Sequence, residues 1–386
     1  MTALEHPQVL DLGLRFERLS SIDWDFSLSA SQSLFSTVHW HPCRFPSQLP
    51  ATLIGSLTVP GETVFDPFVG SGTTAVEAQR LGRSGIGVEI NPVAALLSRA
   101  KTIAEPRETI EKTVQNLKLL ARQASSTFNP PPSVQGEKWY TGRVLRGLCR
   151  LRSILEVPQL TPEGRLIFEA AFSAILLPVC RETRHWGYVC DNTSPKGDHE
   201  RDVIQTFEDA LDTLTAAYHD RDEYWREGGT TPTVIPSVQI WEGDARMALS
   251  NLGNECIDLI VTSPPYFGVT DYAKAQRLSL EWMELSIEQI RLKEIGARSK
   301  RHRMNAKTEY IRECQEVFVE CRRVLRHGRA CCVVLGQSAH RVSVLEEFLE
   351  VMGIIGFKLQ FSAERKISTR RRLNPSLQYE NLLIFV

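Results

Sequence analysis

The stretch of sequence that decides the fold is ETVFDPFVGSGTTAVEAQRLGRSGIGVEINP, residues 62–92. An apolar run that ends at Asp66 predicts a buried strand, and the glycines after it predict a tight turn into a helix. Thr73 and Thr74 are expected to cap that helix, and Gly82 to end it. A second strand then ends at Glu89. The order strand, Gly-rich turn, helix, strand is typical of an α/β fold.

The turn DPFVGSGTTA (66–75) fits the pattern GxGxxA of nucleotide-binding proteins. Glycines let the backbone approach a ligand, a helix N-terminus offers free amides, and Glu89 can accept hydrogen bonds from ribose hydroxyls. The pattern alone would also suit a nicotinamide-dependent dehydrogenase. A P-loop is less favoured, because no GK[ST] follows the turn.

Asp66 discriminates between these ligands. A carboxylate at the strand end would face the pyrophosphate of a dinucleotide, which is unfavourable, whereas it suits a cation. S-adenosylmethionine carries an ammonium and a sulfonium, so Asp66 could hold the ammonium. Asp244, in EGDAR after a third strand, could accept from an adenine amino group. The alternatives are an Asp66 that caps its own loop and an Asp244 that belongs to a turn after Gly243.

A second motif follows the apolar run IDLIV (257–261), in TSPPYFGVTDY (262–272). Two consecutive prolines have fixed φ and no amide hydrogen, so the chain leaves the strand at a stiff elbow. A serine hydroxyl precedes that elbow and an aromatic ring follows it. The alternative is a rigid turn in which Tyr266 fills the core.

The composition is that of an ordinary globular protein. The chain has 386 residues, 42% hydrophobic and 24% charged, which suits two domains or one domain with a large insertion. No apolar run approaches a membrane span and the N-terminus lacks a signal pattern, so a cytoplasmic protein is expected. The nine cysteines form no CxxC pair, which predicts reduced thiols, with Cys331 and Cys332 buried on opposite faces of a strand.

The α/β rhythm is interrupted once. Residues 102–235 carry long amphipathic patterns and a Pro cluster, and they predict a mostly helical insertion. We therefore expect an N-terminal extension over 1–37 and a catalytic domain formed by 38–101 and 236–386. The insertion, 102–235, is a possible target-recognition region.

Two basic runs stand out against a formal net charge of −1. RLKEIGARSKRHR (291–303) holds six Lys/Arg and one acid, and RKISTRRR (365–372) holds five and none. Each run alone could be a solvated face, but two runs beside a candidate site favour a phosphate-binding surface. The nucleic-acid-binding candidates are Arg298, Lys300, Arg301, Arg303, Arg370, Arg371 and Arg372.

The insertion contains further candidates that the sequence leaves open. RETRHWGYV (181–189) interleaves arginines with aromatics and is the best candidate there for contact with DNA. Three arginines on one helical face could be solvated or could contact phosphates: Arg143, Arg146 and Arg150. No metal is predicted, because the spacing of four potential ligands matches no zinc pattern: Cys180, His185, Cys190 and His199.

Together HPCRFP (41–46), DPFVGSGTT, GVEINP and TSPPY resemble the amino-methylating DNA methyltransferases. That family methylates cytosine N4 or adenine N6 with S-adenosyl-L-methionine. The resemblance covers residues 39–101 and about 236–386. It implies a class I S-adenosylmethionine-dependent methyltransferase, a Rossmann-like fold with a seven-stranded, mainly parallel sheet and helices on both faces. The insertion between Glu89 and Asp244 departs from the usual placements, so the segment that reads DNA stays open.

The resemblance also implies roles for site residues. Arg44, Phe45 and Pro46 would hold the methionine end of the cofactor, Glu89 the ribose and Asp244 the adenine. The Gly-rich turn would line the middle of the cofactor with Asp66, Phe68, Gly70, Ser71, Gly72 and Thr73. The cofactor turn precedes the elbow, which excludes the family arrangement with the opposite order.

The elbow would carry catalysis through Ser263, Pro264, Pro265 and Tyr266. The Ser263 oxygen and the Pro264 carbonyl are candidates to accept the hydrogens of the target amine, and Tyr266 would stack on a flipped-out base. The resemblance implies double-stranded DNA as the partner. It also allows a cognate restriction endonuclease as a second partner, which the sequence leaves open. Ser263 favours cytosine N4. The alternatives are adenine N6, an RNA amino-methyltransferase and a catalytically silent nucleic-acid-binding relative.

Overall fold

The computed structural model describes residues 17–26, 33–42, 46–125, 128–158, 160–182, 194–195, 197–228, 232–338, 344–367 and 377–386. Several predicted residues lie outside these ranges: Arg44, Phe45, His185, Cys190, Arg370, Arg371 and Arg372. Residues 183–189 of the RETRHWGYV segment also lie outside the described ranges.

In the part of the chain that the structure describes, seven strands form a single sheet. They are β1 (Thr63–Asp66), β2 (Ser84–Glu89), β3 (Val238–Glu242), β4 (Ile257–Thr262), β5 (Leu325–Ser338), β6 (Leu359–Lys366) and β7 (Leu377–Phe385). The strand order across the sheet is β3-β2-β1-β4-β5-β7-β6. Neighbours from β3 to β5 pair in parallel, and β7 is antiparallel to both β5 and β6. This arrangement confirms the predicted α/β fold class with its seven-stranded, mainly parallel sheet.

The α-helices surround the sheet and fill the segment between β2 and β3. They are α1 (Gln48–Leu57), α2 (Thr73–Arg80), α3 (Pro92–Lys101), α4 (Arg107–Gln123), α5 (Gly136–Trp139), α6 (Gly142–Arg152), α7 (Pro162–Leu176), α8 (Val203–Glu227), α9 (Ala245–Ala248), α10 (Tyr272–Ala275), α11 (Arg277–Trp282), α12 (Ile287–Lys293), α13 (Ala306–Val324) and α14 (Leu345–Ile355). Short 3-10 helices occur at Leu34–Thr37, Ser153–Glu156, Leu249–Asn251 and Arg298–Lys300. Within the described ranges, every helix is too short or too polar to cross a membrane.

The sheet is covered on both faces. α13 and α14 pack on one face over a core that includes Ile260 and Val333. α1 packs on the other face over a core that includes Val261. Cys331 belongs to the first core and Cys332 to the second, and both are fully buried free thiols, as the alternation of side chains along a strand predicts.

The helices between β2 and β3 have a core of their own. α4, α6, α7 and α8 bury a large apolar cluster that contains Trp139, Phe168 and Phe207. The cluster extends to Trp282 on α11, so this helical part packs against the segment that follows the elbow. No described residue between α3 and β3 forms a strand, which fits a helical insertion, and its domain boundaries stay a prediction.

Candidate functional site

A cleft opens where β1, β2, β3 and β4 end, the edge at which open α/β sheets bind ligands. Its empty volume, including the part open to solvent, is about 850 Å³, within the usual size of a small-molecule site. Of the predicted site residues that the structure describes, eight line it: Phe68, Gly70, Ser71, Thr73, Glu89, Asp244, Ser263 and Pro265. The sheet therefore brings the Gly-rich turn and the elbow, which are far apart in sequence, into one site.

The Gly-rich turn depends on two left-handed glycines. Gly70 has φ 54° and Gly72 has φ 91°, a backbone region that side chains other than glycine rarely adopt. A Cβ at Gly72 would also lie 2.8 Å from the Ser98 hydroxyl oxygen. Gly72 is the N-cap of α2, so Thr73 is the first helical residue rather than the predicted cap. The free amides of the helix N-terminus consequently lie at the cleft, where they favour an anionic or electron-rich group.

Asp66 is buried beneath the turn with one oxygen unused. Its Oδ1 accepts hydrogen bonds from the Phe68 amide at 3.0 Å and from the Thr262 hydroxyl at 2.6 Å. Its Oδ2 has no hydrogen-bond partner in the part of the chain that the structure describes. Burial raises the pKa of the carboxyl to about 6, against the opposing effect of hydrogen bonds from Thr262 and the Phe68 amide. Asp66 thus caps its own loop and still offers a buried acceptor.

Glu89 is held at the end of β2 by two backbone amides. Its Oε2 accepts from Gly70 at 2.9 Å and its Oε1 from Asn91 at 2.7 Å. Burial raises the pKa of the carboxyl to about 7, which these amides oppose and the charge of Asp66 reinforces. Each carboxylate oxygen keeps a second lone pair, so Glu89 can still accept from a ligand hydroxyl.

Asp244 is already occupied by protein groups. Its Oδ1 accepts from the Arg246 amide at 3.0 Å and caps α9, and both its oxygens accept from the Arg246 guanidinium at 2.5 to 3.1 Å. Arg246 also pairs with Glu313 at 2.8 Å. The turn role weighed for Asp244 is therefore observed, and its contact with an adenine amino group stays a prediction.

The elbow places Ser263 at the cleft with its hydroxyl hydrogen engaged by the protein. Ser263 Oγ lies 3.2 Å from both the Val334 carbonyl oxygen and the Tyr266 hydroxyl oxygen. Pro265 also lines the cleft. Since a carbonyl can only accept, the hydroxyl hydrogen points toward these partners. The lone pairs of Ser263 remain available to accept from a ligand.

Tyr266 lies behind the elbow rather than on the cleft surface. Its ring is 4% exposed and packs on Gly336, where a Cβ would lie 2.3 Å from Tyr266 Cδ2. Its hydroxyl donates to Glu380 Oε1 at 2.7 Å, and Glu380 pairs with the buried Arg365. The predicted stacking on a base would require this ring to be uncovered, and it stays a prediction.

The HPCRFP segment reaches the cleft through residues that sequence reasoning passed over. His41 and Pro42 line the cleft, and the His41 ring stacks on Tyr272 with 6.1 Å between ring centroids. Pro46, predicted at the methionine end, is instead buried with its carbonyl accepting from the Leu49 amide at the start of α1. The only local signal is the aromatic and proline content of the segment, which does not tell which residue faces the ligand.

Glu294 is a cleft residue that the sequence analysis missed. It follows α12, is 3% exposed and lines the cleft, although it lies in a run selected only for its basic residues. Its Oε1 accepts from the Ala273 amide at 2.6 Å. One acid among six bases has the pattern of a surface charge, so only the fold reveals it.

The basic run around Glu294 divides into exposed and buried members. Arg298 and Arg303 are exposed, and Arg301 is partly buried. Lys300 is 8% exposed and donates to the Glu294 backbone carbonyl at 2.7 Å, which corrects its predicted role as a phosphate contact. In the second run, Arg365 is buried in its pair with Glu380.

Comparison with known proteins shows that the sequence of this chain is similar to that of DNA methylases. A family model described as DNA methylase matches residues 18–99 and 257–386. The chain is 23% identical over 239 residues to the Type II methyltransferase M.MvaI of Kocuria varians, covering 58% of this chain and 51% of that protein. It is 22% identical over 306 residues to the Type II methyltransferase M.BsoBI of Geobacillus stearothermophilus, covering 69% and 56%. The chain thus spans about half the length of these curated relatives.

Among solved structures, the chain is similar to a TehB-like SAM-dependent methyltransferase from Corynebacterium glutamicum. The identity is 9%, the similarity covers 87% of this chain and 86% of that one, and the TM-score is 0.32. That score is too low to support an inference about function.

Proposed function

The chain belongs to the DNA methylase family, and from this premise we propose that it methylates the exocyclic amine of cytosine, N4, in double-stranded DNA. S-adenosyl-L-methionine is the cofactor. The proposal covers the activity, the substrate base and the DNA partner. A cognate restriction endonuclease, compatible with the type II relatives, stays a prediction.

The observation that carries the proposal is the Ser263 hydroxyl at the cleft. An exocyclic amine is a poor nucleophile because its lone pair is delocalised into the ring. An acceptor that binds an amine hydrogen favours a pyramidal nitrogen with a free lone pair. Ser263 can be that acceptor, since its own hydrogen is directed to Val334 or Tyr266. The Pro264 carbonyl is the second candidate acceptor, and the two prolines fix both groups before the base arrives.

Four residues that line the cleft or lie beneath it fit the cofactor. Asp66 Oδ2 is a buried acceptor that lacks a donor among the described residues, and it suits an ammonium group. The Ser71 hydroxyl, which lines the cleft, likewise has no partner within the described ranges. Glu89 keeps lone pairs for ribose hydroxyls, and Phe68 offers an apolar face. When bound, the cofactor supplies an electrophilic methyl group.

Tyr266 and Glu380 also contribute by holding the acceptor in place. The Tyr266 hydroxyl donates to Glu380 and presents its oxygen to the Ser263 hydroxyl hydrogen. Glu380 is fixed in turn by Arg365. This buried chain of hydrogen bonds orients the lone pairs of Ser263 toward the cleft. We propose it as the positioning network of the elbow.

The choice of cytosine rests on the residue type at position 263. Adenine-methylating relatives mostly carry Asp or Asn at this position, whereas Ser resembles the cytosine-N4 type. A serine side chain is short, which suits a close approach to a small pyrimidine ring. The alternative target is N6 of adenine.

The test is to incubate unmethylated duplex DNA with the purified protein and the cofactor, digest the DNA, and separate the nucleosides by mass. We expect 4-methylcytosine, and none with Ser263→Ala. A 6-methyladenine peak without 4-methylcytosine would overturn the base assignment. Methylated bases in RNA alone would overturn the substrate class. Cofactor binding without any transfer to DNA or RNA would identify a catalytically silent relative.

A further inference from the structure

Two buried carboxyl groups line the cleft: that of Glu89, which the sequence analysis predicted, and that of Glu294. It comes from the segment after α12, far from the motifs of the cofactor turn. The Ala273 amide occupies its Oε1, and its Oε2 has no hydrogen-bond partner within the described part of the chain. A buried polar atom that the protein leaves unpaired is costly. Its position in a cleft therefore points to a ligand group that pairs with it.

The surroundings of Glu294 favour its neutral form. Burial raises the pKa of the carboxyl to about 8; the Ala273 amide opposes this shift, the charges of Asp271 and Glu89 add to it, and Lys300 lowers the pKa. The Lys300 ammonium donates to the backbone carbonyl of Glu294 and not to its carboxyl group. Because Oε1 already accepts from Ala273, the proton of the neutral carboxyl belongs on Oε2. Glu294 then presents a hydrogen-bond donor.

Glu89 presents the opposite character. Both its oxygens accept hydrogen bonds from backbone amides, which favour the ionised form, whereas only one oxygen of Glu294 has such a donor. The charge of Glu89 reaches Glu294, which is why it contributes to the pKa of Glu294. With Glu89 ionised and Glu294 neutral, the cleft holds one acceptor carboxylate and one donor carboxyl group, whose titrations are coupled.

We propose that Glu294 is a second ribose-binding residue of the cleft, whose Oε2–H donates a hydrogen bond to the ribose diol of S-adenosyl-L-methionine while Glu89 accepts one. This inference rests on the proposed function, because it places the cofactor in this cleft. A hydroxyl both donates and accepts, so a diol matches a donor beside an acceptor. Oε2–H needs an acceptor, and neither an ammonium group nor a positively charged sulfonium accepts a hydrogen bond, so neither matches it.

The experiment is calorimetric titration at pH 7 with two probes. S-adenosylhomocysteine keeps the diol and lacks the transferable methyl group, and its 2′,3′-dideoxy analogue lacks the diol. Glu294→Leu should weaken binding of S-adenosylhomocysteine about tenfold, the loss of one ordinary hydrogen bond. It should leave binding of the dideoxy analogue unchanged. Glu294→Gln should bind within about twofold of the parent, because its amide oxygen keeps the Ala273 bond and its nitrogen donates from the Oε2 position.

The pH dependence of S-adenosylhomocysteine binding gives a second test, which does not need the Glu294→Leu variant. Affinity of the parent protein for S-adenosylhomocysteine should fall above about pH 8 as Oε2 loses its proton, and Glu294→Gln should remove that fall. The matched control is Glu288→Gln on α12, whose side chain is 70% exposed. If Glu294→Leu does not fold, as judged by thermal unfolding, the pH profiles of the parent and Glu294→Gln decide.

The outcomes separate this inference from the proposed function. Equal losses for both probes in Glu294→Leu, or the same pH fall in Glu294→Gln as in the parent, would overturn the role of Glu294. A parent protein that binds neither S-adenosylhomocysteine nor S-adenosyl-L-methionine would instead overturn the proposed function.

Discussion

The hydroxyl oxygen of Tyr266 lies 2.7 Å from Oε1 of Glu380, which joins the elbow after β4 to the middle of β7. If either the Tyr266 hydroxyl or the Glu380 carboxylate is removed, the other group stays buried and loses this hydrogen bond. We expect Tyr266→Phe and Glu380→Gln to lower the turnover number roughly tenfold to a hundredfold, because a slightly misplaced acceptor is costly. Affinity for the cofactor should not change, since neither side chain lines the cleft.

Tyr379→Phe is the matched control for these variants, because Tyr379 neighbours Glu380 on β7 and is 37% exposed. Single-turnover methylation and calorimetry measure the two effects separately. Full turnover in Tyr266→Phe would remove the positioning role of the hydroxyl. Tyr266→Ala should abolish methylation as well, whether the ring positions Ser263 or stacks on a base.

Gly336→Ala should displace the Tyr266 ring, because the new methyl group would lie 2.3 Å from Tyr266 Cδ2. We expect a free energy of unfolding lower by about 1–3 kcal/mol, as for other overpacked sites, together with a loss of turnover. Gly353→Ala on α14 is the control, since its Cβ would meet no atom within 4 Å. Denaturant unfolding and methylation assays check both. An unaffected Gly336→Ala variant would contradict the packing of Tyr266 against this backbone.

Asp66→Asn should stabilise the fold at neutral pH and weaken cofactor binding. The carboxyl has a pKa of about 6 in the fold against an ordinary 3.8, so its contribution to stability is fully present below about pH 3.8 and is lost as pH rises through 6. A neutral amide avoids that loss, which amounts to roughly 3 kcal/mol at pH 7. It also replaces the free acceptor at Oδ2 by a donor, so cofactor affinity should fall at least about tenfold.

Denaturant unfolding at pH 4 and pH 7, with calorimetry of cofactor binding, tests the Asp66 prediction. The control is Asp212→Asn on α8, where the carboxylate is 61% exposed. Unchanged affinity in Asp66→Asn would mean that the ammonium of the cofactor lies elsewhere. Equal stability gains at both pH values would mean that the fold does not raise the pKa of Asp66.

The exposed and buried members of the 291–303 run should behave differently toward DNA. Removing one side chain that binds a phosphate should reduce the magnitude of the log–log salt slope by about 0.9. Arg298→Gln combined with Arg303→Gln is expected to flatten the slope, whereas Lys300→Gln should leave it unchanged and lower thermal stability. Binding titrations over a range of salt concentrations measure this. A flatter slope for Lys300→Gln would return that side chain to the DNA-binding surface.

We also expect the salt slope of DNA binding to flatten when three arginines of the second basic run are replaced together by glutamine. These are Arg370, Arg371 and Arg372, which lie outside the described residues. The replacement does not include Arg365, which is buried in its pair with Glu380. The same titrations apply, and an unchanged slope would assign this run to solvated surface.

The sequence predicts those parts of the site that depend on short-range chemistry. The Gly-rich turn needs positive φ at Gly70 and Gly72, and the elbow needs two prolines, so both motifs can be recognised locally. The hydrophobic patterns between them also predict the strands and helices, because burial on two faces of a sheet requires continuous apolar runs. This information is enough to derive the fold class and the location of the cleft.

The remaining features depend on contacts between distant segments. His41 lies in the segment before α1 and Glu294 in the segment after α12. Both line the cleft only because the fold brings these two segments to it. Lys300 is buried because the Glu294 carbonyl accepts its hydrogen, although its neighbours in the run are exposed. No local pattern distinguishes these residues from ordinary surface charges, since only tertiary packing determines which of them loses contact with water.

The pairing of β1 has a consequence for the order in which the chain folds. Thr63 pairs with Ser84 of β2, a partner close in sequence, whereas Val64 pairs with Leu259 of β4 only after the whole helical segment has intervened. Loop-closure entropy makes the second pairing the slower one. During synthesis from the N-terminus, the Gly-rich turn is therefore complete long before Ser263 can reach it. Until then, one edge of β1 is an unpaired strand edge, which makes the nascent chain prone to aggregation.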